Sequence, residues 1–218
     1  MRMRRKPWAR PELAVCPYYI QNPSEYRGKW NEIFGNGKPL YMELGCGKGG
    51  FVAQAALKYP DINFIAADIK SEMLAFARRT IEQFFSVAGR EVKNIRLVSL
   101  NIEQISASFS EDDRIDRIYI NFCNPWPRAK HKKRRLTHVR QLEQYKAFLK
   151  YGGEIHFKTD DDELFEESVQ YFYDTGFKII YITRDLHSSD YKFNIITEHE
   201  KVFSAEGKKI KFLIAQKV

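Results

Sequence analysis

The chain has 218 residues, of which 36 are lysine or arginine and 28 are aspartate or glutamate, so its formal net charge is +8. A chain of this length can bury the core of one α/β domain without disulfides or metal. Its cysteines, Cys16, Cys46 and Cys123, form no Cys-x-x-Cys pair, which argues against a disulfide framework and a zinc ribbon and fits a reducing cytosol. We expect no membrane span, because no apolar run reaches about 18 residues.

Positive charge is concentrated in two stretches. Residues 1–11 carry five basic side chains and residues 128–140 carry seven, and neither stretch contains an acid. Such stretches favour polyanionic partners, nucleic acid above all. Residues 1–25 also contain four prolines among charges and aromatic residues, so we expect them to form a flexible, irregular basic arm. Residues 26–218 are expected to form a single domain.

Predicted strands and helices alternate from Leu40 onwards. The strands are predicted at residues 40–44, 62–67, 95–100, 115–122, 154–158, 177–183 and 209–216. The helices are predicted at residues 49–59, 72–87, 137–149 and 162–174. This alternation predicts an α/β fold with a parallel sheet and helices on both faces. Residues 184–208 contain no predicted helix, so the last of seven strands is expected to run antiparallel beside the sixth. Such a sheet resembles the Rossmann-like fold of methyltransferases that use S-adenosylmethionine (SAM).

A glycine-rich turn follows the first predicted strand. Gly45 and Gly47 lack a Cβ, so the backbone there can approach a ligand closely. The turn also fits the dinucleotide pattern G-x-G-x-x-G through Gly50, so by itself it leaves SAM and NAD equally open. Glu43 precedes the turn, and its carboxylate can hold the methionine ammonium group that SAM has and NAD lacks. Glu43 and the expected terminal strand pair therefore favour SAM.

Two polar residues end the next predicted strands. Asp68 can accept hydrogen bonds from both ribose hydroxyls of a nucleoside cofactor, and Asn101 can address an adenine edge. Ligands of doubly wound sheets bind at these strand ends. The alternatives are structural: Asp68 as a helix N-cap and Asn101 as an ordinary turn residue.

The fourth strand runs at its end into Asn-Phe-Cys-Asn-Pro-Trp-Pro, residues 121–127. Asn124, Pro125 and Trp126 are similar to the Asn/Asp-Pro-Pro-aromatic motif of amino-group methyltransferases, which keeps an adenine-N6 or guanine-N2 enzyme open. A plain strand-ending loop is the structural alternative. The adjoining basic run, residues 130–135, is predicted to clamp RNA phosphates beside the reacting base. It is otherwise a solvated helix face or a localisation signal. A non-catalytic RNA-binding protein that retained the cofactor fold also stays open.

The sequence resembles the bacterial tRNA (guanine-N7-)-methyltransferases over nearly its whole length. The resemblance lies in residues 1–8, 43–49, 121–136, 157–160 and 197–200. It implies a cytoplasmic enzyme that transfers a methyl group from SAM to N7 of a guanine in the tRNA variable loop, at position 46. No metal is expected, because His131 and His138 lack a metal-ligand constellation, and the sequence leaves monomer and homodimer open.

The resemblance also implies roles for individual residues. The implied SAM-binding residues are Glu43, Gly45, Gly47, Asp68, Asn101 and Asn124. The implied substrate-binding residues are Arg128, Asp160, Thr197, Glu198, His199 and Glu200. The implied RNA-binding residues are Lys130, His131, Lys132, Lys133, Arg134 and Arg135. Asn124, the candidate catalytic residue, stands where the family usually has aspartate, and Arg128 replaces a family lysine. Asn cannot act as a general base, so we expect it to position the substrate.

Overall fold

An eight-stranded sheet forms the centre of the computed structural model, which describes residues 6–218. Its strands are β1 (Tyr19–Ile20), β2 (Leu40–Leu44), β3 (Asn63–Asp68), β4 (Ile95–Ser99), β5 (Ile115–Asn121), β6 (Leu149–Thr159), β7 (Phe177–Thr183) and β8 (Lys211–Lys217). Their order across the sheet is β1-β4-β3-β2-β5-β6-β8-β7. Neighbours from β1 to β6 pair in parallel, whereas β8 runs antiparallel between β6 and β7.

Helices cover both faces of the sheet. They are α1 (Ala9–Ala14), α2 (Gly50–Lys58), α3 (Ser71–Val87), α4 (Val139–Phe148), α5 (Asp162–Asp174) and α6 (Glu198–Ala205). One core cluster contains apolar residues of α1, α2 and α3, and a second contains those of α4 and α5. The central strands are therefore buried on both sides, which explains their continuous apolar runs. The predicted α/β fold with a mostly parallel sheet is confirmed.

The N-terminal segment is packed where the structure describes it. Helix α1 buries Leu13 against α3, and β1 pairs with β4 at the edge of the sheet. This differs from the irregular arm expected for residues 1–25, and it adds the eighth strand. Pro11 lies in the first turn of α1, where a backbone N–H has no partner within the helix, so it does not break the helix. Residues 1–5 of the expected arm lie outside the described residues.

Residues 184–208 contain helix α6, so the expectation of no helix there was wrong. Thr197 caps this helix: its hydroxyl accepts the Glu200 N–H, while the Glu200 side chain accepts the Thr197 N–H. This Thr-x-x-Glu capping box is a sequence signal for a helix start. Strand β6 also begins earlier than predicted, at Leu149 rather than residue 154. None of the helices within residues 6–218 combines the length and the apolar content that a membrane crossing requires.

Candidate cofactor and active site

Four polar residues lie at the carboxyl ends of neighbouring parallel strands. Glu43 is in β2, Asp68 ends β3, Asn101 follows β4 and Asn121 ends β5. These strands are adjacent in the order β4-β3-β2-β5, so their ends form one edge of the sheet. This is the edge where doubly wound sheets bind ligands.

The glycine turn is fixed on both sides by backbone contacts. The N–H groups of Gly45 and Cys46 both donate to the Ala67 carbonyl oxygen at 2.9 Å. Gly49 has a φ of +77° and packs so closely on α3 that a Cβ there would lie 2.8 Å from the Ala77 Cβ. Only glycine satisfies both conditions without strain. The turn is thus held open toward the strand ends.

Glu43 has one carboxylate oxygen without a partner. The side chain is buried, and Oε1 accepts a hydrogen bond of 3.0 Å from Asn121 Nδ2. Oε2 is also buried, and no group within residues 6–218 donates to it. Burial raises the pKa of Glu43 to about 8. A buried carboxyl oxygen without a partner is costly, so this position fits a cationic donor supplied by a ligand, which would favour the ionised form.

Two cavities meet at this glycine turn. The first encloses about 480 Å³ and is lined by Glu43, the turn, Asn121, Phe122 and one face of α6. The second encloses about 310 Å³ and is lined by Asp68, Asn101 and residues around Asn124. Gly45 and Phe122 line both. We call the two together the cofactor cleft, and their size is typical of sites for drug-sized ligands.

Asp68 and Asn101 serve the backbone as well as the cleft. Asp68 Oδ2 accepts the Gly47 N–H at 3.2 Å and Oδ1 accepts the Lys70 N–H at 2.9 Å, so it ties the glycine turn to the start of α3. Burial raises the pKa of Asp68. Asn101 Oδ1 accepts the Glu103 N–H at 3.2 Å and caps a short 3-10 turn. Both side chains line the 310 Å³ cavity, so a structural role and a ligand role coexist there.

Residues 121–127, here called the Asn124 corner, adopt an unusual backbone. Phe122 and Trp126 have φ values of 51° and 44°, which bulky side chains rarely adopt. Asn124 is exposed, and its Oδ1 accepts the Trp126 N–H at 3.0 Å. Such strain persists only where surrounding contacts impose it. Surrounding contacts therefore fix the backbone conformation of the Asn124 corner at the mouth of the cofactor cleft.

Arg135 supplies part of that support. Its side chain has no exposed surface, its Nε donates to the Pro125 carbonyl oxygen at 2.6 Å, and it forms an ion pair with Glu167 at 2.6 Å. The resemblance placed Arg135 among residues that touch RNA, but in this structure it is buried. It braces the Asn124 corner from inside the protein.

The rest of the basic run is divided between paired and exposed cations. Lys132 forms ion pairs with Glu163 and Glu167, which lowers the pKa of Glu167 to about 2. Arg134 lies 2.9 Å from Glu103, and its guanidinium stacks on Trp126 at 4.5 Å. Lys130 and Lys133 of the run, and Arg128 just before it, are exposed, and none of the three forms an ion pair within residues 6–218. His131 is partly buried and its ring lies 5.8 Å from that of Trp126.

The structure separates the implied substrate-binding residues. Glu198 and His199 line the 480 Å³ cavity, as does Thr197. Glu200 is completely buried beneath them. Asp160 lies elsewhere, in a charged cavity with three lysines and Arg184, and it pairs with Lys208 at 3.4 Å. Asp160 is therefore not brought together with the cofactor cleft.

Some residues of the cleft were not singled out from the sequence. Asn121 holds Glu43, and Phe122 stacks on His199 with ring centroids 6.0 Å apart. Phe203 extends this aromatic wall from α6. Asn121 lies in the last two positions of the predicted fourth strand, so the sequence could have indicated that it stands near the strand end. The contacts of α6 depend on the tertiary fold and had no such signal. Within residues 6–218 there is no cluster of His, Cys, Asp and Glu that could hold a metal ion.

Comparisons with known proteins agree with this architecture. A family model described as "Putative methyltransferase" matches residues 37–213. The tRNA (guanine-N(7)-)-methyltransferase of Clostridium beijerinckii is 63% identical, with 100% of this chain and 99% of the relative covered. The enzyme of the same name from Clostridium perfringens (strain SM101 / Type A) is 56% identical over 100% of both chains.

Solved structures show the same fold at low identity. A variant of the 16S rRNA (adenine(1408)-N(1))-methyltransferase from Catenulisporales acidiphilia, with cosubstrate SAM, superposes with a TM-score of 0.58 at 16% identity, covering 90% of this chain and 92% of its own. A second, described as an antibiotic-related methyltransferase, gives a TM-score of 0.60 at 18% identity, with 85% and 90% covered. The high-identity relatives decide the assignment, and the chain belongs to the tRNA (guanine-N(7)-)-methyltransferase family.

Proposed function

We propose that this chain transfers a methyl group from SAM to N7 of a guanine in the variable loop of tRNA, at position 46, and does so in the cytoplasm. The observation that carries the proposal is the unpaired Glu43 oxygen at the glycine turn of a cleft that leads to the Asn124 corner. The names of the relatives agree with it. The exposed cations beside the corner fit a polyanionic substrate.

The residues of the cleft fit SAM. Glu43 Oε2 would accept a hydrogen bond from the methionine ammonium group, and this bond would supply the partner that the oxygen lacks within the protein. Asp68 would address the ribose hydroxyls, and Asn101 the adenine, because both line the adjoining cavity. Gly45 and Gly47 leave the backbone accessible along the ligand. When bound, SAM supplies a methyl group on a sulfonium, which is a strong electrophile.

The chemistry at N7 demands alignment rather than proton removal. Guanine N7 carries a free lone pair and no proton, so no general base is needed. Asn124 would orient the base through its carbonyl oxygen, which can accept from an exocyclic amine. Its Oδ1 already accepts the Trp126 N–H, so the side chain is preorganised at the cleft mouth. Catalysis would thus come mainly from holding nitrogen, methyl carbon and sulfur in line.

The tRNA would be held by exposed cations around the corner. Arg128, Lys130 and Lys133 would contact phosphates, and Arg134 could join them by exchanging Glu103 for phosphate. Thr197, Glu198 and His199 would line the pocket for the target guanine. Asp160 has no part in this proposal, because it lies in a different cavity.

Nucleoside analysis of labelled RNA tests the proposal. Total tRNA is incubated with the protein and SAM labelled in its methyl group, then digested to nucleosides and separated. We expect labelled 7-methylguanosine, and a transcript lacking the variable-loop guanine should stay unlabelled. Labelled N6-methyladenosine or N2-methylguanosine would instead identify an exocyclic-amine enzyme, and absence of label a non-catalytic RNA-binding protein. Glu43→Ala, which removes the cofactor contact, is the negative control.

A further inference from the structure

A buried lysine joins β6 to the segment before α6. Lys158 is 4% exposed, and its Nζ donates to Asn194 Oδ1 at 2.8 Å, to the Ile195 carbonyl oxygen at 3.0 Å and to Glu200 Oε2 at 2.6 Å. An ammonium group has three donors, so all three are used. Every acceptor comes from residues 194–200, the segment that leads into α6.

Glu200 uses its hydrogen-bond acceptors as fully as Lys158 uses its donors. Its side chain has no exposed surface. Oε2 accepts from Lys158 and, at 3.4 Å, from the Thr197 N–H. Oε1 accepts from Asn194 Nδ2 at 2.6 Å and contacts His187 Nε2 at 2.9 Å. Two oxygens of a carboxylate offer about four lone-pair sites, so none is left for a substrate.

The neighbours of Glu200 face the opposite way. Thr197, Glu198 and His199 line the 480 Å³ cavity, and His199 stacks on Phe122 of the Asn124 corner. The Lys158–Glu200 pair lies behind this surface and fixes it to the sheet. The pair therefore determines where the lining residues of α6 stand relative to the cofactor cleft.

We propose that Glu200 is a positioning residue, anchored by Lys158, and that it does not contact the target guanine. Thr197, Glu198 and His199 are then the side chains of this segment that meet the substrate. The inference rests on the proposed function for the identity of that substrate. The anchor itself rests on burial and hydrogen bonds alone. Removing one partner of a buried pair strands the other charge, so loss of either residue should release α6.

A double-mutant comparison tests the anchor. Glu200→Gln should lower kcat/KM by about 100-fold, because a small displacement of lining residues disrupts alignment. The neutral pair Lys158→Gln/Glu200→Gln keeps a hydrogen bond without a stranded charge, so it should recover at least about tenfold over the single variant. If Glu200 bound guanine directly, the double variant would be no better than Glu200→Gln. That result would overturn the proposal.

The substrate supplies a second, independent readout. A carboxylate that binds guanine would accept from N1–H and the 2-amino group, and inosine lacks the latter. With Glu200 as an anchor, Glu200→Gln should cause the same fold loss on transcripts carrying guanosine or inosine at the target position. A clearly smaller loss on the inosine transcript would contradict the anchor. Glu198→Gln, on the cavity side, is the matched comparison.

Thermal unfolding separates this inference from the proposed function. The melting temperature of the double variant should exceed that of Glu200→Gln, whatever the protein methylates. If the wild-type protein yields no 7-methylguanosine, the proposed function fails while the unfolding comparison still tests the anchor. If the double variant lost as much melting temperature as the two single variants together, the anchor would be refuted even if methylation is normal.

Discussion

Glu43 combines burial, an unpaired oxygen and a raised pKa at one position. Its pKa of about 8 means that the carboxyl group is largely protonated at neutral pH in the free protein. A bound ammonium favours the ionised carboxylate, so SAM binding should release a proton. The affinity for SAM should fall by about tenfold for each pH unit below 8, until the lower pKa of the complex is reached.

Calorimetry in two buffers of different ionisation enthalpy measures the released proton. The control is Glu43→Gln, which keeps the size of the side chain and cannot titrate, and its weaker SAM binding should not depend on pH in this range. Glu43→Ala should abolish measurable binding. Uptake of a proton by the wild-type protein, or a pH-independent affinity, would show that Glu43 does not meet the ammonium group.

Asn124 is one of the two positions, with Arg128, at which this chain is expected to depart from the resembled family. Asn124→Asp would add a negative charge near the cation that forms on N7, so the methyl-transfer rate should rise, by less than about tenfold in this exposed position. Because no proton is abstracted, the methyl-transfer rate should not fall steeply as the pH is lowered. Single-turnover rates over a pH series check both points. A large rise with a steep acidic limb would show that positioning alone is insufficient.

At the scale of elements, the glycine turn depends on the contact between α2 and α3. Gly49→Ala should lower the free energy of unfolding by about 3 kcal/mol, because a Cβ adds a left-handed backbone penalty and a clash with Ala77. Gly35 also has a positive φ, but a Cβ there would meet nothing within 4 Å. Gly35→Ala should therefore lose only about 1–2 kcal/mol. Urea unfolding of the two variants measures the difference, and equal losses would contradict the packing argument.

Elements with strong periodicity could be predicted from the sequence. Helix α5 and strands β2 and β7 have the predicted bounds. Pro39 and Gly45 border β2, and Gly176 separates α5 from β7. Helix α1 and strand β1 could not be predicted, since both are short and depend on packing against α3 and β4. Helix α6 had a usable capping box at Thr197, but it is only 8 residues long, and Val202 and Phe203 are its only large apolar residues. Periodicity and bordering residues thus predict an element that is stable through its own local sequence, but not one that depends on tertiary packing.

The candidate site divides in the same way. Glu43, Asp68 and Asn101 could be predicted because strand ends meet at one edge of a parallel sheet. The burial of Arg135 could not, since it depends on α5 lying beneath the Asn124 corner. Nor could the Lys158 contact with Glu200, which joins residues 42 positions apart. Charge in a sequence indicates a polar role, and only the tertiary fold decides whether it faces solvent.

At the scale of the whole molecule, the chain carries a net charge of +8, but not every cation of its basic run is free to bind RNA phosphate. Lys132, Arg134 and Arg135 are each paired with acids of the protein, whereas Lys130 and Lys133 are exposed. A cation that already has an internal partner releases fewer counterions on binding RNA. The run is thus part scaffold and part contact surface.

Salt dependence of tRNA binding separates these two classes of cation. Lys130→Ala/Lys133→Ala should flatten the slope of log affinity against log salt by about 1–2, because each phosphate contact contributes roughly 0.7–0.9. Lys132→Ala should change the slope by less than about 0.5, since its ammonium is bound to Glu163 and Glu167. SAM affinity should be unchanged in both variants, which controls for folding. If Lys132→Ala flattened the slope as much as the double variant, tRNA would have to break those ion pairs, and the division of the run would be wrong.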